Sequence, residues 1–376
     1  MTNNNLLTKS EVATASSYGA LANEQHAADA IKKAMQKMPA DSSIGGVLLF
    51  LTNGYSHNPQ PALSIAVKTA GTPQIFGCCA MGLMTEEEWL LDVEGAVAMV
   101  FPQEISLTPQ QILSQQGISP NFLLTFSSPN AASIAVNSHT IPKIGAITTD
   151  EYGHGPYSIW QSGRIIEHEY SHLAVPNNLS CNSVVAESIR QVSPSMLVNL
   201  ADGHSIIETN QKTALDSLRE HLPENLHSLG FSQPYNLLCA ISENSDVKSI
   251  EQGHFKLQHI VSIDEQEGRI HLSGSIKSGK HIFWAIRDEQ HAQKIMMQKL
   301  TQCFDNISSE PKFALMFPNI SRGAEFYNGQ DEDWNLFKKK FPNIPMIGFY
   351  SNGEIAPGHK LAGLIHRYST IVSVFS

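Results

Sequence analysis

Three segments of this chain share one pattern. Pro345–Pro357 reads PMIGFYSNGEIAP, Gln74–Met84 reads QIFGCCAMGLM, and Lys143–Tyr152 reads KIGAITTDEY. Each holds a short apolar run closed by a glycine, at Gly77, Gly145 and Gly348. Five positions later stand Gly82, Asp150 and Gly353, residue types that reach a left-handed backbone most cheaply. Each is also preceded by an apolar run ending in phenylalanine, at Phe50 (GGVLLF), Phe126 (NFLLTF) and Phe317 (FALMF), and then by a helix-like stretch. Element order recurs together with the spacing, so a strand–helix–strand–glycine-turn–strand unit is expected three times. Strands alternating with helices predict an α/β fold, and hairpin-like stretches between Tyr157 and Val175 predict mixed, partly antiparallel sheets flanked by helices.

Helical spacing is read over Asn23–Met38, Asn58–Thr69, Asn130–Ser138 and Asp288–Phe304. Thr108–Gln116 reads as a helix with Thr108 as its cap and Pro109 in the first turn. Ser183–Gln191 and Glu208–His221 carry apolar stripes of the same kind, which predicts a helix-rich middle. The first residues are polar and read as an arm, and Pro223–Pro234 reads as a linker. The expected organisation is an arm over 1–19, an α/β domain with a helical connecting segment over 20–222, and a second, related α/β domain over 223–376.

A formal charge of −10 argues against nucleic acid or an anionic membrane as the main partner. No apolar run has the length to span a bilayer, and the N-terminal stretch lacks the basic patch and apolar core of a secretory signal. Five cysteines, at 78, 79, 181, 239 and 303, show no C-x-x-C spacing. Their odd count argues against a disulfide framework or structural zinc, so a cytoplasmic protein is expected. No G-x-G-x-x-G or G-x-x-x-x-G-K-[ST] cradle occurs, and no G-x-S-x-G elbow. The chain is therefore expected not to be an enzyme.

The C-terminal segment resembles the C-terminal half of FIST-domain sensory proteins, through Pro345, Gly348, Phe349, Tyr350, Gly353, Glu354, Ile355 and Pro357, with Phe317 and Arg322-Gly323 before them. His259–Asp288 is similar to the opening of that half, Gly46–Phe101 to the family's N-terminal half, and Ala201–Leu218 to the connecting segment. The family often places a Cys and a Gly shortly before the arginine; here Asn319 and Ser321 stand there, which removes a thiol role. The resemblance implies small-ligand sensing in signal transduction. Through one branch of the family it implies haem as cofactor and nitric oxide as signal. With no output segment recognised in the sequence, a separate histidine kinase or cyclase is the expected partner, alongside the ligand and a second copy of the chain.

The residues that such a site would use are Gly77, Gly82, Gly348 and Gly353 at the bends, with Arg322, Tyr350 and Glu354 as ligand contacts. Arg322 offers a planar fork for a carboxylate, of an amino acid or a haem propionate, and Glu354 an acceptor for an ammonium. A salt bridge between the two is the structural alternative. Among sixteen histidines the sharpest group is His154, His168 and His172, the candidate haem ligands, since haem needs one axial imidazole facing an apolar pocket. His168 and His172 also form HEYSH, which on a helix gives two zinc ligands and a general base. On a strand, residues four apart lie roughly 13 Å apart and cannot chelate one metal. The strand-like context disfavours a zinc hydrolase. An amino-acid or metabolite sensor without haem is the main alternative.

Overall fold

The computed structural model describes residues 11–224, 226, 236–242, 255–358 and 362–376. Residues 1–10 of the expected arm, and the expected linker apart from 223, 224 and 226, lie outside them. The chain forms two compact units. Unit 1 takes the described residues through Glu187 and then Gln293–Ser376; unit 2 takes Ser188–Ala292. This division differs from the expected cut at 222/223, because strands from the beginning and the end of the chain hydrogen-bond to one another in unit 1.

Among the described residues, unit 1 contains three six-stranded sheets. In spatial order the first is β1 (Ala13–Gly19), β6 (Glu94–Pro102), β2 (Ile44–Thr52), β3 (Ile75–Ala80), β10 (Ile159–Gln161) and β11 (Arg164–Ile165). The second is β25 (Leu364–His366), β24 (Gly353–Ala356), β9 (Lys143–Ile147), β8 (Leu123–Ser127), β12 (Tyr170–Ala174) and β7 (Thr108–Pro109). The third is β13 (Cys181–Glu187), β26 (Ser369–Phe375), β22 (Phe313–Pro318), β23 (Met346–Phe349), β4 (Leu83–Thr85) and β5 (Trp89–Leu90).

The three sheets repeat one plan. A parallel pair sits at the centre of each: β2–β3, β8–β9 and β22–β23. A helix lies between the members of each pair in sequence: α2 (Gln60–Ala70), α4 (Ala132–Asn137) and α7 (Glu332–Lys340). An antiparallel strand flanks each first member: β6, β12 and β26. The strand that follows each bend leaves its own sheet. β4 pairs with β23, β10 with β3, and β24 with β9. Each module thus lends one strand to another, and the exchange closes in a cycle of three.

The glycine pattern has a direct cause. Gly145 lies opposite Thr125 and Gly348 opposite Met316, each the residue before the phenylalanine; the register of β2 and β3 puts Gly77 opposite Leu49 likewise. A Cβ on these glycines would lie 1.9, 1.7 and 1.9 Å from the carbonyl oxygens of Thr125, Met316 and Leu49 respectively. The backbones approach too closely for any side chain. Gly77 and Gly145 also have φ of 148° and 153°, a region favouring glycine. The left-handed backbone expected five residues later is absent: Gly82, Asp150 and Gly353 do not have positive φ. The repetition belongs to the strand, not to the turn.

The preceding phenylalanines meet in the core. Phe50–Phe126, Phe126–Phe317 and Phe50–Phe317 have ring centroids 5.4, 6.0 and 6.4 Å apart, and Phe349 touches all three. Equivalent residues of three modules therefore form one aromatic triangle, with the edge-to-face packing that rings favour.

Ala13–Gly19, expected in the polar arm, is an edge strand paired with β6. Its alanines are buried under α1 (Gln25–Lys37), whose Ala27, Ala30, Ile31 and Ala34 face inward. The expected helix over Ser183–Gln191 is instead β13 and the short strand β14 (Ile189–Gln191); Val184 and Ala186 are buried in alternation, the period of a strand. The helix expected over Thr108–Gln116 begins only after β7, as α3 (Gln110–Gln115). That expected over Glu208–His221 shortens to α5 (Ala214–His221), with Thr213 capping Asp216 N.

In unit 2 the strands are β14, β15 (Met196–Asp202), β16 (Ser205–Thr209), β17 (Lys212–Thr213), β18 (Leu237–Ser242), β19 (Phe255–Asp264), β20 (Arg269–Leu272) and β21 (His281–Arg287). Six of them close on themselves through β21–β15–β16–β20–β19–β18–β21. Closure removes the open edges of a sheet. Val198, Ile206, Ile260, Ile270, Ile282 and Trp284 fill the interior, with Leu218 of α5. The helix α6 (Glu289–Asp305) carries the chain back into unit 1.

Candidate functional site

The carboxyl ends of the parallel strands are where open α/β sheets bind ligands. In unit 1 the three bends at those ends come together. Thr149 lies at their junction. Its Oγ1 accepts from Met81 N at 3.0 Å and donates to Tyr350 O at 2.9 Å. Tyr350 N donates to Gly82 O at 3.0 Å, and Asn352 N to Ile147 O at 2.9 Å. Asn53, just after β2, sets its amide beside Thr149 O and Glu151 N, and the amide orientation that satisfies both donates to the first at 3.1 Å and accepts from the second at 3.3 Å. One threonine hydroxyl therefore ties the first and third modules to the second.

The glycines, arginine, tyrosine and glutamate expected to bind a ligand lie inside unit 1 rather than on the surface of this junction. Gly77, Gly82, Arg322, Gly348, Tyr350, Gly353 and Glu354 are all buried. A Cβ at Gly82 would lie 2.5 Å from the Tyr350 ring, and one at Gly353 3.0 Å from Ile147 and Ile365. The surface of the junction is supplied by neighbours: Asn352 is exposed, and Asn53, Met81 and Asp150 are half-buried. Asp150 holds the following loop by accepting from His154 N and Gly155 N, both at 2.8 Å, and these bonds help keep its carboxyl below the usual range despite partial burial.

Arg322 does not face a guest, and its ion-pair partner is Asp333 rather than Glu354. Nε and Nη2 donate to the two oxygens of Asp333 at 2.8 and 2.7 Å, Nη1 to Ala186 O at 2.6 Å, and Nη2 also to Tyr327 Oη at 3.0 Å. Asp333 also accepts from Thr370 Oγ1 and Tyr327 Oη. Asp331 caps α7 by accepting from Trp334 N and takes the Tyr350 hydroxyl on its other oxygen. Glu354 accepts from Asn319 Nδ2, Ser351 Oγ and Ser369 Oγ. Burial raises the Glu354 carboxyl to about 7, against the pull of these donors and of Arg322. Burial and then the Asp333 charge raise the Asp331 carboxyl above its usual range. Nothing in the sequence singles out Asp331 and Asp333, because D-x-D at a helix start looks like ordinary capping.

The histidines do not assemble. His154 and His168 are exposed. His172 is buried in β12, with Nδ1 2.9 Å from Thr125 Oγ1 and Nε2 2.8 Å from Ser138 Oγ. Both ring nitrogens are occupied, and burial lowers its pKa to about 3. Neither an axial bond to iron nor a zinc bond is open to it without losing a buried hydrogen bond. HEYSH runs through a turn, with Glu169 at φ 56°, into a strand, so the helical spacing needed for zinc is not met. Among the described residues no group of His, Cys, Asp and Glu has metal-binding geometry. His172 is thus closed to haem iron, and the exposed His154 and His168 lack the apolar surroundings expected of its ligand.

An open cleft of about 350 Å³ lies beside β1 and α1, lined by residues including Ser16, Lys33, Lys37, Glu87 and Glu88. Its charges answer one another: Lys37 pairs with Glu87 at 2.7 Å, Lys33 donates to Ser16 O at 3.1 Å, and Ser16 Oγ donates to Glu88. These contacts shield an edge strand from further pairing.

The buried groups set a pH profile. Glu354 holds its proton in the folded chain up to about 7, whereas the unfolded carboxyl releases it near 4.5. Its contribution is present at acid pH and is lost as pH rises through 7, on the order of 3 kcal/mol. His172 works the other way: below 6.5 the unfolded imidazole takes a proton that the folded one refuses down to about 3. The two oppose each other between about pH 4.5 and 6.5, so in thermal unfolding across that window Glu354→Gln is expected to make Tm rise with pH more steeply than in the native chain. An unchanged slope in the variant would contradict the assignment.

The comparisons with known proteins agree with the strand pattern. A family model described as the FIST N domain matches residues 45–212, and one described as the FIST C domain matches 208–357. An uncharacterized protein of Mycobacterium tuberculosis is 24% identical over 199 residues, 51% of this chain and 50% of that protein. An uncharacterized protein of Mycobacterium bovis is 23% identical over 194 residues, with the same coverage. Human F-box only protein 22 is 29% identical over 104 residues, 24% of this chain and 25% of that protein. The matched region spans about half the length of the mycobacterial relatives. The seam between the two family halves, at 208–212, falls inside unit 2. With N and C domains together covering residues 45–357, the chain belongs to the FIST family, whose domains are sensors in signal transduction.

Proposed function

We propose that this chain senses a small polar molecule at the rim where the three bends meet, and passes its state to a separate signalling protein such as a histidine kinase or cyclase. The role is binding rather than catalysis, in the cytoplasm. The observation that carries the reading is the Thr149 hydroxyl, which joins the bends of all three modules at one point. A guest that shifts one bend shifts the others. The rim offers amides (Asn53, Asn352), a carboxylate (Asp150) and backbone groups, which suits an amino acid or a similar polar metabolite.

Haem with nitric oxide is the reading that the resemblance implies, and the placement of His154, His168 and His172 gives it no support. Both are tested together. Thermal shift against amino acids, organic acids and nucleotides, beside a hemin titration, is run on the native chain and on Asn352→Trp, which fills the exposed rim. One polar class is expected to raise Tm by about 2–4 °C at saturating concentration in the native chain and not in the variant. No shift across the panel sinks the metabolite reading. A stoichiometric Soret band with hemin would favour haem instead.

A further inference from the structure

Tyr350 belongs to the bend and also to the buried acid cluster. Its backbone bonds Thr149 and Gly82, while its hydroxyl donates to Asp331. Asp331 caps α7, and Asp333 lies in the first turn of that helix. Asp333 is clamped by the Nε–Nη2 edge of the Arg322 guanidinium, whose Nη1 donates to Ala186 O at 2.6 Å. Ala186 is the next-to-last residue of β13, and the chain passes into unit 2 after Glu187. A second arm reaches the same place. Glu354 accepts from Ser351 of the bend and from Ser369, and Ser369 and Thr370 are in register with Glu187 and Ala186. Thr370 Oγ1 closes the loop on Asp333.

We propose that this network is a relay from the bends to the end of β13, so that a change at Tyr350 and Ser351 alters how firmly the last residues of unit 1 are held where the chain enters unit 2. The physical basis is the cost of leaving a group unsatisfied in a buried polar network. Apart from the first turn of α7 between Asp331 and Asp333 and the pairing of β13 with β26, the links are buried hydrogen bonds and an ion pair, so losing one leaves its partner unsatisfied and forces neighbours to rearrange. Arg322 is a positioning residue in this scheme, because it acts on β13 through Ala186 O. The relay rests on the bends being the place where the guest is sensed, but it is testable without a guest.

Tyr350→Phe removes the single hydroxyl on Asp331 and keeps the ring against Gly82. Ser351→Ala removes one donor to Glu354. Hydrogen–deuterium exchange on the full chain compares both variants with the native protein, reading peptides over Val184–Gln191, around residue 350, and over α1 and β2 as a control. Exchange at 184–187 is expected to rise about tenfold in Tyr350→Phe, and in the same direction in Ser351→Ala, with the control peptides unchanged. Faster exchange confined to the peptides around 350, or spread equally into α1 and β2, would overturn the relay. Thr370→Val, which cuts the network beside β13 without touching the bend, must reproduce the effect at 184–187 and leave residue 350 quiet. If Tyr350→Phe fails to fold, Ser351→Ala and Thr370→Val decide the question. Relay failure with a retained ligand shift would leave the binding reading standing; absence of any ligand shift with an intact relay would do the reverse.

Discussion

Alanine at Gly348 is expected to prevent unit 1 from folding. The added Cβ would lie 1.7 Å from Met316 O, a backbone atom in the adjacent parallel strand, and no rotamer change relieves it. The strands must separate, at the cost of their shared hydrogen bonds and the packing beneath. Forcing extra atoms into packed structure costs about 1–3 kcal/mol even when side chains yield, and here none does. Gly145→Ala and Gly77→Ala carry the same clash, at 1.9 Å, together with unfavourable φ. Two comparisons separate the causes. Gly348 lacks the positive φ, so its variant reports the clash alone. Gly117 has φ 72° and nothing within 4 Å, so Gly117→Ala reports the backbone preference alone, about 1 kcal/mol. Soluble yield and Tm are the measurements. A Gly348→Ala protein that melts within a few degrees of the native one would show that the strand spacing is not as described.

The second large effect is at Arg322. Arg322→Ala leaves Asp333 buried with no cation and leaves Ala186 O without its donor. Breaking one side of a buried ion pair typically costs 3–5 kcal/mol, so urea unfolding is expected to show a loss of about that size. Replacing both partners is a different matter. The pair spends much of its attraction on desolvation, so Arg322→Met with Asp333→Leu is expected to recover part of the loss of the single variant. If the double variant is as unstable as the sum of the singles, Arg322 acts through something other than Asp333. The loss in Arg322→Ala is therefore a folding defect, and weaker binding in that variant is no proof of ligand contact.

The strand repeat was legible in the sequence because a side chain is forbidden at one position of each parallel pair. That prohibition writes Gly77, Gly145 and Gly348 at a fixed relation to Phe50, Phe126 and Phe317. The sheet joined by each following strand was not legible. Leu83–Thr85 and Gly353–Ala356 are short apolar runs, and such runs say that a strand is buried without saying beside what. Ser183–Gln191 was read as a helix because Val184, Val185, Ala186 and Ile189 satisfy helical spacing nearly as well as a strand's. In the site, Arg322, Tyr350 and Glu354 were found, but as ligand contacts. Their partners Asp331 and Asp333 are the reason they turn inward, and nothing local marks those aspartates as buried. The rim residues Asn53 and Asn352 carry no pattern at all; only the meeting of the bends singles them out.

The insertion of unit 2 within unit 1 has a bearing on how this protein is born. A ribosome delivers residues in order, and domains generally fold as they emerge. The closed barrel of Ser188–Ala292 has all its strands as soon as Arg287 is out, while the sheet of β13, β26, β22, β23, β4 and β5 still lacks three of its six. For the time needed to make the 84 residues of Gln293–Ser376, the strands β4 and β13 wait for partners that do not yet exist. Nascent chains stalled once Arg287 has cleared the ribosome should therefore yield a protease-resistant barrel with protease-sensitive stretches at β4 and β13, and a need for chaperones would trace to that interval.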